Sequence, residues 1–247
     1  MRRATVLLIA LLLTACGSSD KPKLHADDPR AGGAAADQSL PATIDPSYRP
    51  ANEIVVEREG YGGGRVSFHG DAAFDATVAA FQRESGAQRV SVEGIPGAIG
   101  FRVDHKKAQA SIERWNREYL RRGAYVFRYA NTEGYNGGAD GILVLPTRDK
   151  WTVLRAAAVN GVNYDLLTPA IVNWLQRLDG YHPFTVYGVG IDFVEGRFTS
   201  PPRGQEALAL ARSMYRFDPD IVDQGVGSVR ALAHELESSG TLYLWWD

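Results

Sequence analysis

Two carboxylates three residues apart, Asp192 and Glu195, stand near the end of the apolar run from Phe184 to Phe198. A pair of acids does acid/base work when its spacing and environment set the two pKa values apart. Solvated acids at a strand end are the ordinary alternative. Upstream, Asn160-Gly161 and Asn163-Tyr164-Asp165 gather two amides, a phenol and a carboxylate at a helix end. Such a set presents hydrogen-bonding groups to a ligand, or it is a glycine-terminated helix with an Asn-stabilised turn. A hydrolase site would require these side chains and the two acids to converge in one pocket.

Other residue patterns fall short of known chemistry. Asp218, Asp220 and Asp223 offer oxygen ligands. The regular spacing, glycine and distal Glu of a calcium loop are missing. Asp218-Pro219 reads as a helix cap with a first-turn proline, closed by Gln224-Gly225. His234-Glu235 starts like a zinc-protease helix, but position 238 is Ser238. The five histidines are scattered. Gly60 to Gly64 lacks the Lys-Ser/Thr ending of a phosphate loop and reads as a hairpin turn. No Gly-x-Ser-x-Gly elbow occurs. No metal, cofactor or catalytic residue is assigned. Adjacent Trp245 and Trp246 point to opposite faces of a strand, so one can serve the core and the other a binding surface. The candidate binding residues are Asn160, Asn163, Tyr164, Asp192, Glu195, Asp220, Gln224, Trp245 and Trp246.

One residue carries a chemistry of address. Arg2 and Arg3 precede the apolar run Ala4 to Leu13, the layout of an export signal. The run is shorter than the roughly 20 residues that span a bilayer. Leu13-Thr14-Ala15-Cys16 then resembles the bacterial lipobox, and Cys16 is the one cysteine of the chain. That resemblance implies cleavage after Ala15 and acylation of Cys16. Two or more acyl chains anchor a protein stably where one does not. Gly17, rather than an Asp, leans toward the outer membrane in a cell that has two. Signal 1–15 is thus followed by a lipidated tether over 16–51, rich in Gly, Ala, Ser, Asp and Pro and without apolar period. A flexible chain of that length spans roughly 30–35 Å r.m.s..

Composition limits the rest. The 247 residues are 45% apolar, enough for a sizeable core, and no internal disulfide can form. Without the first fifteen residues there are 25 basic and 29 acidic side chains. A mildly acidic body argues against nucleic acid as the main partner, and by itself gives no pull toward anionic lipid.

The folded part is expected over 52–247. Strands are expected at 54–57, 65–69, 89–93, 98–103, 124–130 and 141–145. A long strand over 184–198 with a glycine bulge and a closing strand over 242–246, apolar on both faces and hence interior, complete the set. Helices are expected near 71–84, 105–122, 149–158, 168–178, 203–216 and 226–238. Thr147 and Thr168 read as helix caps. Strands and helices interleave without strict alternation, which predicts an α+β fold: a mixed β-sheet with helices packed on it.

The second half carries a string of recognisable segments. They include Tyr125-Val126-Phe127, Asn160-Gly161-Val162-Asn163-Tyr164-Asp165 and Gly190-Ile191-Asp192-Phe193-Val194-Glu195. Tyr215-Arg216-Phe217-Asp218-Pro219-Asp220-Ile221-Val222-Asp223-Gln224-Gly225 follows, with Leu242-Tyr243-Leu244-Trp245-Trp246-Asp247 at the end. This string resembles the bacterial domain-of-unknown-function family 4253 over about 120–247. The resemblance implies domain limits and no activity. In many members a cysteine precedes the proline where this chain has Asp218, which weakens any thiol chemistry for the family.

Together these features predict a lipid-anchored lipoprotein of the bacterial cell envelope that acts by binding. Its partners would be the bilayer, through acylated Cys16, and an envelope or secreted protein. An immunity-type lipoprotein masking a basic toxin is the concrete version. An envelope hydrolase, or a small-ligand or glycan-binding lipoprotein with a concave aromatic site, is the alternative.

Overall fold

A computed structural model of the protein describes residues 55–56, 65–92, 94–129 and 139–246. Cys16, the signal, the tether, the Gly60–Gly64 loop and Asp247 lie outside the described residues. The described residues fall within one compact unit, 36–247.

Strands β1 (Val55–Val56) and β2 (Arg65–Val66) pair antiparallel as a separate two-stranded sheet. The main sheet has seven strands: β3 (Gln88–Val90), β4 (Ile99–Asp104), β5 (Tyr125–Tyr129), β6 (Ala139–Leu145), β7 (Phe184–Val189), β8 (Phe193–Phe198) and β9 (Thr241–Trp245). Their order is β3-β4-β6-β5-β7-β8-β9. All neighbours are antiparallel except β5 and β7, which run parallel through the Arg128–Gly188 pair. The sheet is mixed, and the fold is α+β as its residue pattern predicts. The strands of the first half, β3 and β4, are hydrogen-bonded into the same sheet as those of the second.

Helices cover both faces. The strands are apolar on both sides, so each face needs a cover. Val126, Ile142 and Val144 face α1 (Ala72–Ser85) and α2 (His105–Arg121) around Phe81, Trp115 and Tyr119. Phe127, Leu143 and Leu145 alternate to the other face. There they meet α3 (Lys150–Ala157), α4 (Thr168–Tyr181), α5 (Gln205–Phe217) and α6 (Val229–Ser239). Burying a side chain of this size contributes about 1.5–3 kcal/mol, so a core without disulfides has ample material.

Helix ends follow from local chemistry. Asp71 accepts from the Phe74 N–H at 2.8 Å and starts α1, which Gly86 ends at φ 64°. Asp104 caps α2 through the Lys107 N–H. Two expected caps are corrected. Asp149, not Thr147, caps α3, accepting from the Trp151 and Thr152 N–H groups. Thr168 is the first residue of α4, and its buried hydroxyl caps nothing; Pro169 supplies the start.

Two strand expectations are corrected as well. The run 184–198 is not one bulged strand but the hairpin β7–β8, because Gly190-Ile191-Asp192 turns the chain back. Strand β9 is an edge strand, not an interior one. Leu242, Leu244 and Trp246 pack inward, while Tyr243 is exposed on the other face.

Candidate functional site

Helix α3 ends at Ala157, its cap Ala158 is held at φ 53°, and the chain enters a tight loop. The Asn160 N–H donates to the Ile191 carbonyl at 2.7 Å, which ties this loop to the β7–β8 turn. Gly161 and Leu166 exchange two backbone hydrogen bonds at 2.8 and 3.0 Å. They close a single helical turn, Val162–Tyr164, followed by Asp165 at φ 57°. Two left-handed non-glycine residues therefore flank one loop. Such strain persists only where the surroundings over-determine it.

Trp246 provides that determination. Its N–H donates to the Asp192 carbonyl at 2.9 Å. Its ring packs so close to Gly161 that a Cβ there would stand 2.7 Å from Trp246 Cγ. The ring also meets Phe217 edge-on at 5.7 Å, and Phe217 stacks on Trp174 at 4.3 Å. Trp246 is 3% exposed and serves the core; Trp245, on the opposite face, is half-buried. Trp246 is therefore not an exposed anchor.

The exposed apolar groups lie elsewhere on the same feature. Val162, Tyr164, Leu167 and Ile191 are each between 37% and 49% exposed. They are four of the six large apolar side chains that stand exposed among the described residues. The Asn160 side chain donates to the Ala158 carbonyl, and Asn163 is exposed between Val162 and Tyr164 in the chain.

Acidic groups support this loop from behind. Asp220 is buried and accepts from the Tyr164 hydroxyl at 2.6 Å and from Gln224 Nε2 at 2.9 Å. Asp218 is fully buried, and its Oδ2 accepts the Trp245 N–H at 2.6 Å. Its Oδ1 has no partner among the described residues. Burial outweighs the stabilising backbone donors, neighbouring Asp220 adds repulsion, and the carboxyl is pushed up to about 8. The segment Ile221–Val226 is a helical turn broken by a kink at Gly225, whose φ −99° and ψ −105° are not helical. The three aspartates of this stretch go three ways: Asp223 accepts from the Tyr215 hydroxyl instead.

Glu195 leaves this surface. It points to the α2 face of the sheet and accepts from Arg128 at 3.0 Å. Arg128 also lies 3.2 Å from Asp140, which meets His105 Nδ1 at 2.8 Å. Asp140 is 6% exposed. Burial raises the Glu195 carboxyl, and Arg128 opposes that rise. The partly buried row Glu195–Arg128–Asp140–His105, of which Asp140 alone is fully buried, thus draws on β8, β5, β6 and α2. Glu195 is thus held by Arg128, while Asp192 lies in the turn after β7, where its carbonyl accepts the Trp246 N–H. Sequence reading missed Arg128, Asp140 and His105. The available signal was a cation in β5 and an acid opening β6 where both strands are otherwise apolar.

No curated protein and no solved structure matches the chain. A family model does match, and it begins at Gly141 inside β6, later than Tyr125, where the recognisable segments start. The loop 160–167, the turn 190–192, Asp218 to Gln224 and the terminal tryptophans all lie within residues 141–247, the part of this chain that matches the model of the Domain of unknown function (DUF4253).

Proposed function

We propose that the protein is a lipid-anchored binding protein of the bacterial cell envelope, and that loop 160–167 with turn 190–192 is its docking surface for another protein. One observation carries the surface: Val162, Tyr164, Leu167 and Ile191 are exposed on a loop and a turn tied by the Asn160–Ile191 and Trp246–Asp192 backbone hydrogen bonds, with the Tyr164 hydroxyl held by Asp220. Clustered apolar exposure on a protein marks an interaction site, and a preorganised loop loses little entropy on binding. The Asn160 and Asn163 amides, with the buttressed Tyr164 ring, supply a polar rim of the kind such interfaces carry. The anchor is supported by the Cys16 lipobox alone. An immunity-type role is one concrete form, in which the partner is a secreted toxin.

The test uses the full chain expressed in its acylating host. Intact mass of the membrane-extracted protein should show loss of residues 1–15 and added acyl groups, both abolished by Cys16→Ala. Chemical cross-linking in intact cells should then join the wild type to one envelope or secreted protein. The double variant Val162→Asp with Ile191→Asp should lose that product. Tyr181→Asp, exposed elsewhere on α4, should keep it. Equal cross-linking by all three proteins would remove the docking surface from this loop.

A further inference from the structure

The net charge of the chain conceals an uneven distribution. Helix α2 and the residue after it carry Lys106, Lys107, Arg114, Arg117, Arg121 and Arg122 against only Glu113 and Glu118. The inner stripe of α2, Ala108, Ile112, Trp115 and Tyr119, is buried, so the charged side is the solvent side. There Arg114, Arg117, Glu118, Arg121 and Arg122 line an open depression of about 440 Å³.

Local acids do not neutralise it. Glu118 is shared between Arg114 at 3.4 Å and Arg122 at 2.6 Å. Glu84 takes Arg114 at 2.6 Å, but it also accepts from Trp115 and Tyr119. Arg122 further lies over the Tyr119 ring at 4.8 Å. Arg117 and Arg121 have no acidic partner among the described residues. Arg148 adds a fifth guanidinium, donating to the Leu120 and Arg121 carbonyls at the helix end. Cations at a helix C-terminus are favoured by its dipole. That accounts for Arg121, Arg122 and Arg148, but not for Arg117 and Arg114, one and two turns earlier.

We infer that this face of α2 docks on the anionic lipid headgroups of the membrane to which the chain is anchored. The docking rests on the proposed Cys16 anchor for proximity, and on the arginine face for orientation. An anchored domain needs little affinity, because the tether already holds it within reach of the surface. Each cation near an anionic bilayer strengthens association about fivefold. Arginine forks match phosphate oxygens in pairs. A domain so docked keeps loop 160–167 away from the bilayer only if that loop sits on another face. It does: the loop continues from α3, which covers the sheet face opposite α2.

The experiment measures arginine reactivity toward phenylglyoxal in the full acylated chain, mapped by peptide mass spectrometry. The protein is reconstituted in phosphatidylcholine vesicles, or in vesicles with a third of phosphatidylglycerol. Exposed Arg212 on α5 and Arg230 on α6 are internal controls. The expected result is several-fold slower modification of Arg117 and Arg121 in the anionic vesicles, reversed by high salt, with Arg212 and Arg230 unchanged. Equal rates in the two vesicle types overturn the inference. Protection by inorganic phosphate without any effect of the anionic lipid also overturns it and assigns the depression to a small soluble anion. Failure of the chain to float with phosphatidylcholine vesicles sinks the anchor instead. In that case the anionic vesicles, added to the free protein, still decide whether the arginine face binds lipid.

Discussion

The fully buried Asp218 gives the protein a stability that falls as pH rises. Its carboxyl ionises near 3.8 in an open chain and at about 8 in the folded protein. Between those values the unfolded chain is ionised while the folded one keeps its proton. Folding therefore binds a proton, and stability declines with rising pH across about 4 to 8. The full contribution is present below 4 and is lost by about 8. At about 1.4 kcal/mol per pKa unit, the loss is on the order of 5 kcal/mol. That is comparable with the whole stability of a marginal domain. The perturbation is Asp218→Asn, which keeps the shape and an oxygen for the Trp245 N–H. Its amide group takes the place of Oδ1, which has no well-formed partner but lies near the Asp220 and Ile221 N–H groups, so it should cost about 1–3 kcal/mol, the same at every pH. Urea unfolding followed by tryptophan fluorescence at pH 4.5, 6, 7 and 8 reads the difference. The wild type should lose several kcal/mol over this range and the variant much less, so the variant should be the more stable at pH 8. Glu195, also raised by burial, leaves a residual slope of the same sign in both. Parallel curves for the two proteins would refute the reasoning and show that Asp218 is folded as a carboxylate.

Three further perturbations address the packing behind the two faces. Arg128→Ala strands Asp140 and Glu195 in the protein without their cation and should cost about 3–5 kcal/mol in urea unfolding; a loss under 1 kcal/mol would mean the row is solvated. Gly161→Ala places a methyl 2.7 Å from the Trp246 ring and should lower stability by about 1–3 kcal/mol, seen as a reduced melting temperature. Trp246→Ala removes the ring that buttresses both loops and should cost about 3–5 kcal/mol. A well-folded Trp246→Ala protein with unchanged melting temperature would contradict the buttressing role.

Periodicity made the elements legible. The apolar stripe Ala108, Ile112, Trp115 and Tyr119 predicts α2, and it is the buried face. Alternation in β5 and β6 has the same clarity because each strand is covered on both sides. The hairpin β7–β8 was less legible, since Gly188 and Gly190 serve a bulge or a turn equally well. Gly188 in fact marks a register shift beside Glu195, where a Cβ would meet Oε2 at 2.7 Å. The reversal depends on Ile191 and Asp192 bonding to Asn160 and Trp246, partners distant in sequence. Edge or interior placement of β9 was not legible for the same reason: it is decided by whether another strand pairs beyond it.

The candidate surface divides along the same line. Asn160, Tyr164, Asp192, Asp220, Gln224 and Trp246 were legible as polar or aromatic residues out of place, and the fold brings these six to one end of the sheet. Their roles were not legible, because role is set by which side chain faces outward. Asp220 and Trp246 turn inward as buttresses. The plain residues Val162, Leu167 and Ile191 turn outward, where no motif would mark them. The row through Arg128 is a sharper case. Arg128 and Glu195 are separated by 67 residues and His105 and Asp140 by 35, so only strand order makes them neighbours. The arginine face of α2 shows the reverse limit: every residue was visible as an exposed helix side, yet the net charge of the chain averaged it away. Charge acts over about a Debye length of 8–10 Å, so a surface is judged by its local density, and the local density here is cationic.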